Sequence, residues 1–484
     1  MLNNWCRRVW CAGVAAVVVA GVALGHFGIP STAPISRLVS NLERMLKDRP
    51  DDSHVEYLLG RVHAMAFAGR CRELSYYERG GLPELVQHGG WGSAAGSPGN
   101  PPMTSAELVV HAEESVKHLQ RAVELTGKGD ISQLGFAYAL EQAAGLAIDV
   151  KVLPAIAGSK AAVLSDVRKG ELQKLIDALS GKDAKEAEKA EKSLLESLGE
   201  AAPLLHAQRE SFKGEGRTRA KNLLKRHWLR IARAGYVAAF DSAYATESKM
   251  CTETPMGGLE CLVSYESAKA IVRLDAADEP TEKLSKEKHD AVAAAVKKYE
   301  ALPPCSVITP VVLPVTGRGW ELSDLVDEEA SVAFDLDGTG RAQRWSWVKP
   351  NAGLLVWDRD GTGEITSGRD LFGAVTWWLL PGDGFTAMSL LDDNGDGWLS
   401  GKEFEGLAVW IDVDGNGVCG KGEVVTLWAL GVEALRVRAD CMTGDAPTAL
   451  RGVRMRDGSV RPLYDWIAKS KPAVKSDAKV GGTK

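Results

Sequence analysis

The apolar positions of residues 35–150 recur at helical spacing. Ile35, Leu38, Val39, Leu42 and Leu46 form one stripe, which Arg49-Pro50-Asp51-Asp52 interrupts. Ser53 is placed to cap a second helix that runs to about Ala68. Gly80 to Pro102 is rich in Gly, Pro and Ser and reads as a solvated loop. Its Gly89-Gly90-Trp91-Gly92 lacks the strand and glycine spacing of a phosphate-cradling turn. Helical periodicity resumes from Ser105 to about Leu125 and from Ile131 to about Val150. Residues 151–300 stay mostly helical, with a charge-alternating stretch at Lys182–Lys192, a basic run from Arg217 to Arg233 and a short strand at Gly258–Val263. Pro303, Pro304, Pro310 and Pro314 then read as a linker, and beyond it Gly, Asp and Trp dominate. The pattern predicts a mainly α chain. A helical body at 30–150 and 151–302 is followed by a linker at 303–319, a small α+β module at 320–470 and a disordered tail at 471–484.

Residues 1–29 read as an export segment. Arg7 and Arg8 flank an apolar or small run from Val9 to Leu24, which fits the core of a signal peptide. Extended to Ile29, the same run barely spans a bilayer as a single N-terminal transmembrane helix. A cleaved signal peptide and an uncleaved anchor both place the rest of the chain outside the cytoplasm, secreted, periplasmic or tethered. Such a compartment permits disulfides, so Cys251–Cys261 and Cys419–Cys441 are possible pairs, with free buried thiols as the alternative.

Charge sharpens this picture. The chain of 484 residues carries 58 Lys+Arg against 64 Asp+Glu, a net charge of −6, which argues against a generic nucleic-acid binder. The mean hides an asymmetry: residues 321–440 hold 22 acidic and 9 basic residues, a local −13, so the remainder carries +7. Concentrated carboxylates attract cations.

The acids fall in four Asp/Gly turns. Asp392, Asn394, Asp396, Trp398, Ser400 and Glu403 satisfy the EF-hand calcium spacing. The first three give side-chain oxygens, Gly397 allows the sharp turn, Trp398 gives a carbonyl, Ser400 a water-mediated contact and Glu403 two oxygens. Asp412, Asp414, Asn416, Val418 (through its carbonyl) and Glu423 satisfy it again, starting only 20 residues later, too close for a full intervening helix pair. Asp358, Asp360, Thr362, Glu364 (through its carbonyl) and Thr366 follow the pattern, but its last position is Arg369, so a longer loop closed by Asp370 is needed. Asp335, Asp337 and Thr339 lack a closing acid. Calcium accepts about six to eight oxygens in a flexible shell, whereas magnesium demands a tight octahedron. The spacing therefore predicts two calcium sites, with a third at Asp358–Asp370.

Residues 332–437 resemble the EF-hand-like Asp/Gly-rich repeats of haemolysin-type exported bacterial calcium-binding proteins. The resemblance is carried by Phe334-Asp335-Leu336-Asp337-Gly338, Trp347, Leu355-Val356-Trp357-Asp358, Asp370-Leu371-Phe372-Gly373, Val409-Trp410-Ile411-Asp412 and Gly422-Glu423-Val424. It implies calcium binding rather than a reaction, and it supports Asp370 as a ligand. Leu59-Gly60-x-x-His63 and Leu134-Gly135-x-x-Tyr138 are similar to the start of a tetratricopeptide helix, with Gly allowing two helices to approach closely. That resemblance implies protein–protein contact through the helical region.

No His-Glu-x-x-His, Gly-x-Ser-x-Gly, Walker A or cysteine-nucleophile signature is present, so the chain reads as more like a binding protein than an enzyme. His111, Glu114 and His118 share one helix, at a spacing that leaves only a loose pair. The expectation is an exported calcium-binding scaffold with a protein partner. A calcium-dependent, dockerin-like adhesion or assembly module and a hydrolase with an unmarked site in the helical body are the alternatives.

Overall fold

A computed structural model describes residues 32–75, 103–126, 131–145, 164–253, 263–276, 284–300, 307–317 and 320–471. The expected export segment, most of the loop at 80–102, the strand at Gly258–Val263, the Cys251–Cys261 pair and the tail at 471–484 lie wholly or largely outside the described residues. The described residues form one compact unit.

The helical body begins with strand β1 (Thr32–Pro34), α1 (Ile35–Asp48) and α2 (Ser53–Gly69), and β2 (Glu73–Ser75) pairs back onto β1. In α1 the expected stripe faces inward, with Ile35, Leu38 and Leu42 buried and Val39 and Leu46 packed against the core. The cap of α2 is Asp52 rather than Ser53, its carboxylate accepting the amides of His54 and Val55 at 3.1 Å each. Then come α3 (Ser105–Thr126), α4 (Ile131–Gly145), α5 (Asp166–Ala178), α6 (Ala184–Glu196), α7 (Leu198–Ala207), α8 (Gly214–Glu253), α9 (Val263–Ala276) and α10 (Lys286–Glu300). Helix α2 is buried all round from Val55 to Phe67, as a helix enclosed by neighbours must be.

The two Leu-Gly sites do not start stacked repeats. Both face the same side chain: a Cβ on Gly60 would lie 2.6 Å from Leu119 Cγ, and one on Gly135 would lie 3.1 Å from Leu119 Cδ2. Helix α3 therefore sits between α2 and α4, and glycine permits the approach on both sides. Residues of α5–α8 close a second apolar cluster around Leu172, Ile176, Leu194, Leu205 and Leu223. The basic run on α8 is not a free face, since Arg219 pairs with Glu191 at 2.8 Å and buried Arg233 pairs with Asp275. Among the described residues, no helix is long and apolar enough to cross a membrane.

The C-terminal region is a sheet. Its elements are β3 (Val307–Ile308), β4 (Val311–Pro314), the short α11 (Leu322–Leu325), β5 (Val326–Phe334), β6 (Gln343–Val348), β7 (Ala352–Trp357), α12 (Gly384–Ser389), β8 (Trp398–Ser400), β9 (Leu407–Trp410), β10 (Val424–Thr426), β11 (Val432–Arg436), β12 (Cys441–Thr443), β13 (Ala446–Met455), β14 (Val460–Asp465) and β15 (Ala468–Lys469). Nine strands form one antiparallel sheet in the order β10-β9-β7-β4-β14-β13-β11-β8, with β12 on β13. Two further antiparallel pairs, the hairpin β5–β6 and the long-range pair β3–β15, lie outside that sheet. Strand β4 lies near the middle of this order, so the linker expected at 303–319 is instead partly sheet, and the region begins by Val307. The Asp/Gly turns join strands rather than helices. Only α12 precedes one of them, and a single 3-10 turn, Gly401–Phe404, leaves it. Cys419 and Cys441 are both free thiols, so the expected disulfide between them does not form.

Body and sheet share one core and a set of directed contacts. Arg61 of α2 donates to the Trp378 carbonyl at 2.7 Å, and His54 meets the Pro381 carbonyl at 2.8 Å. Between them the backbone is strained, with Trp377, Trp378 and Leu380 at φ of 49°, 58° and 57°. Asp465 is buried on β14, beside the backbone of Gly384 and the hydroxyl of Thr309. Burial pushes its carboxyl well above the usual carboxylate range, and the charge of Asp383 adds to this.

Two outcomes follow from this packing. Gly60→Ala forces a contact that Leu119 cannot relieve, because the backbone nitrogen of Leu119 is also only 2.9 Å from the added carbon. The variant should lose about 1–3 kcal/mol in chemical denaturation, and an unchanged midpoint would contradict the packing. Asp465 holds its proton to higher pH in the folded chain than in the unfolded one, so its contribution is greatest below about pH 4 and is lost as pH rises toward the folded pKa. The stability gained by Asp465→Asn should therefore grow by roughly 1 kcal/mol per pH unit on the alkaline side of about pH 4. Parallel pH–stability curves for the two proteins would contradict it.

Candidate metal centre

Strand β9 ends at Trp410 and delivers the chain into the turn at 412–423. Asp412 is fully buried there. Its Oδ1 accepts the Asn416 amide at 3.2 Å, and its Oδ2 accepts the Gly417 amide at 2.8 Å. Oδ2 also accepts the indole N–H of Trp347 at 2.6 Å. Glu423 closes the turn: Oε1 accepts the Val413 amide at 3.1 Å, and Oε2 accepts the Gly420 amide at 2.7 Å and the Trp410 indole at 3.3 Å. Asp414 takes the amide and side-chain N–H of Asn416 at 3.2 and 2.7 Å, and Asn416 Oδ1 accepts the Val418 amide. Oxygens of Asp412, Asp414 and Glu423 lie within 4.8 Å of one another. None of the three makes an ion pair with a described Lys or Arg.

The core fixes this geometry. Trp347 and Trp410 meet edge to face with ring centroids 5.8 Å apart, and Phe334 packs on both at 5.5 and 5.3 Å. Each indole thus presents its one donor to the acid that opens or closes the turn. Burial raises the Asp412 carboxyl above its ordinary value, opposed by the Gly417 amide and then by the Trp347 indole. Gly417 has φ of 72°, and a Cβ there would lie 2.4 Å from Val332, so only glycine fits.

The other turns are arranged differently. In 392–403, Asp392 accepts Gly395 and Gly397 amides at 2.7 and 3.0 Å. Glu403 accepts those of Asp393 and Ser400 at 2.8 and 2.9 Å, Asn394 Oδ1 accepts Asp396, and Asp396 accepts Trp398. The three acids of this turn do not converge as closely as those of 412–423. Helix α1 grips it from outside, with Arg37 pairing with Asp393 at 2.8 Å, Asn41 donating to Asp393 and to the Leu390 carbonyl, and Arg44 donating to the Asp392 carbonyl. In 358–370, Asp358 accepts the Gly363 amide at 3.2 Å and the Thr362 hydroxyl at 3.3 Å. Asp370 accepts the Thr366 and Ser367 amides at 3.0 and 3.2 Å. Asp360 and Glu364, also expected there, are exposed and are not gathered with them. Cys419 Sγ donates to the Gly363 carbonyl at 3.1 Å, which ties this turn to 412–423.

In the first turn, burial and the neighbouring Asp337 push the Asp335 carboxyl up to about 8, and Arg369 reaches in to donate to the Gly338 carbonyl at 2.7 Å. The indole donors Trp347 and Trp410 are absent from the spacing argument. Their sequence signals are that ten of the 14 tryptophans fall between Trp320 and Trp466, and that both stand among the residues carrying the expected resemblance, which assigned them no role at the turn.

Residues 311–467 match the family model described as the SPM domain, about a third of the chain. A curated protein, iron-regulated protein FrpA of Neisseria meningitidis serogroup C, is 34% identical over 135 residues, which is 27% of this chain and 12% of that protein. The chain thus spans about an eighth of that relative's length. These findings overturn the expected resemblance to EF-hand-like haemolysin repeats and to tetratricopeptides: the matching family is the SPM domain, and the region it covers is a β-rich sheet. The physical reason is the strands. Ala352 to Trp357 is buried at every position and leads straight into its turn, with no helix to frame it.

Trp347→Phe removes one of the donors that satisfy Asp412. It should cost about 1–3 kcal/mol in denaturant melts and raise the Asp412 carboxyl pKa further, as read by carboxyl carbon NMR. Unchanged stability and titration would show that the indole bond carries no weight.

Proposed function

We propose that this chain is an exported, non-enzymatic binding protein whose sheet region takes up a divalent cation in the turn at 412–423, with calcium as the ion. The observation that carries this reading is the convergence of Asp412, Asp414 and Glu423, with no ion pair to a described Lys or Arg. Three carboxylates brought within 4.8 Å repel one another, and a cation relieves that repulsion. The residues fit a hard ion: all three donors are carboxylate oxygens, with the Val418 carbonyl on the same turn as a further oxygen. Each carboxylate oxygen that accepts one N–H keeps lone-pair capacity for a metal. Oxygen-only donors in a flexible glycine turn favour calcium over zinc or copper, which prefer nitrogen and sulfur.

Bound calcium would supply charge neutralisation and tie the two ends of the turn together, so that binding energy becomes folding energy. The turns at 392–403 and 358–370 are the second and third candidates of the same reading. Export rests on the basic-then-apolar pattern of residues 1–24, and a protein partner for the helical region completes the scaffold role.

Calorimetric titration of the full chain with calcium tests this reading. A dissociation constant of order 10⁻⁴–10⁻³ M is expected, as for extracellular modules. At calcium about 100-fold above that constant, unfolding free energy should rise by about 2.7 kcal/mol. Asp412→Asn should abolish this gain. Asp392→Asn reports on the second candidate through the stoichiometry. No heat and no shift in melting temperature at about 10 mM calcium would contradict the reading.

A further inference from the structure

Far from the acidic turns in sequence, α2 and α3 share a seam of proton-binding side chains. His63 of α2 is buried, and its Nδ1 lies 2.8 Å from Nδ1 of His111 on α3. Their ring centroids are 4.9 Å apart. His118, two turns further along α3, stacks on His63 at 6.3 Å with planes 12° apart. It is held by Glu56 of α2 at 2.5 Å and by Glu114 at 3.2 Å.

Two imidazole nitrogens at 2.8 Å share a single hydrogen, one donating and the other accepting. The accepting ring is therefore neutral, and burial favours the neutral form of both rings. A first added proton can sit on the far nitrogen of the donating ring and leave this bond in place. A second must go to the accepting nitrogen, which sets two N–H groups head to head with two like charges behind them. We propose that the His63–His111 pair is a proton-operated latch of the helical body, clamping α2 to α3 while one facing nitrogen is bare and parting them when both rings are protonated.

The surroundings give the extra charge little to rest on. From α3, Glu107 favours charge on His111 but is bound by Arg72 at 2.8 Å and by Thr104, while Lys117 and His118 disfavour charge on His63. Glu114 of α3 and Glu56 of α2 are taken by His118. Arg61 of α2 is turned to the Trp378 carbonyl. From α1, Arg37 and Arg44 are directed at the turn after Leu391. From α4, Glu141 is bound by Tyr236 and Arg273, and from β2, Glu73 pairs with Arg359. Burial, and then the neighbouring His111, lowers His63 to about 3, and burial lowers His111. With folded values below the unfolded 6.5, the pair's stabilisation is fully present above about pH 6.5 and is lost as pH falls toward the folded values.

The latch has a lever. Helix α2 also carries His54 and Arg61, which hold the strained backbone at 377–381, so parting α2 from α3 loosens the seat of the sheet.

Amide hydrogen exchange on the full chain, at neutral pH and at about pH 5, tests the proposal. After correction for intrinsic rates, α2 and α3 should exchange faster in acid, by up to about tenfold per pH unit and proton. His63→Gln/His111→Gln should lose that increment. An equal increment in the double variant would overturn the proposal. If the double variant does not fold, imidazole nitrogen NMR of the wild-type chain decides. One Nδ1 protonated and one bare at neutral pH supports the latch, and two bare Nδ1 atoms overturn it. Zinc that stabilises the wild-type chain and not His111→Gln would also overturn it, because the pair would then be a metal site.

Discussion

A carboxylate taken out of water must be met by N–H donors, by a cation or by a proton, and the C-terminal region is organised around that requirement. Its turns carry many acids and few bases, and several of those acids are buried: Asp337, Asp370, Asp392, Glu403 and Asp412. Glycine at positive φ turns successive amides toward each opening aspartate, as Gly395 and Gly397 do for Asp392 and Gly417 does for Asp412. Where a base is available it is used, as with Arg369 beside the first turn and Arg37 on Asp393. Among the described residues, no base pairs with the acids of 412–423. The two indoles that reach the turn satisfy single oxygens and leave the net charge of the cluster in place.

That arrangement links the site to the sheet and the sheet to the helices. Trp347 and Trp410 are core residues first, packed with Phe334, and their donors make the turn a continuation of the core. The helical body attaches through polar contacts to backbone carbonyls, from Arg61 and His54 to the strained segment and from Arg37 and Asn41 to the turn after Leu391. Strained backbone persists only where its surroundings over-determine it, and here buried tryptophans and α2 do so together.

Helices were legible in the sequence because their signals are local. The stripe of α1 and the break at Arg49–Asp52 fall where the structure places them. The sheet was hidden because its strands are short, some buried on both faces, and set between glycine turns. Neither alternation nor length marks Val311–Pro314 or Leu407–Trp410 as strand. The acidic spacing identified candidate ligands but not which of them converge. Convergence at Asp412, Asp414 and Glu423 depends on Trp347 and Phe334, which lie more than 60 residues away in the chain. Leu119, facing both Gly60 and Gly135, likewise turns an apparent repeat into a single clasp.

Terbium luminescence measures the central claim most directly. The ion seeks oxygen donors as calcium does, and Trp410 and Trp347 are hydrogen-bonded to the two acids that would hold it, so they lie within range to sensitise its emission. Excitation of tryptophan should produce terbium emission in the full chain. Calcium should displace that emission, and Glu423→Gln should abolish it. Emission that is absent, or that persists unchanged in Glu423→Gln, would contradict a cation site at 412–423.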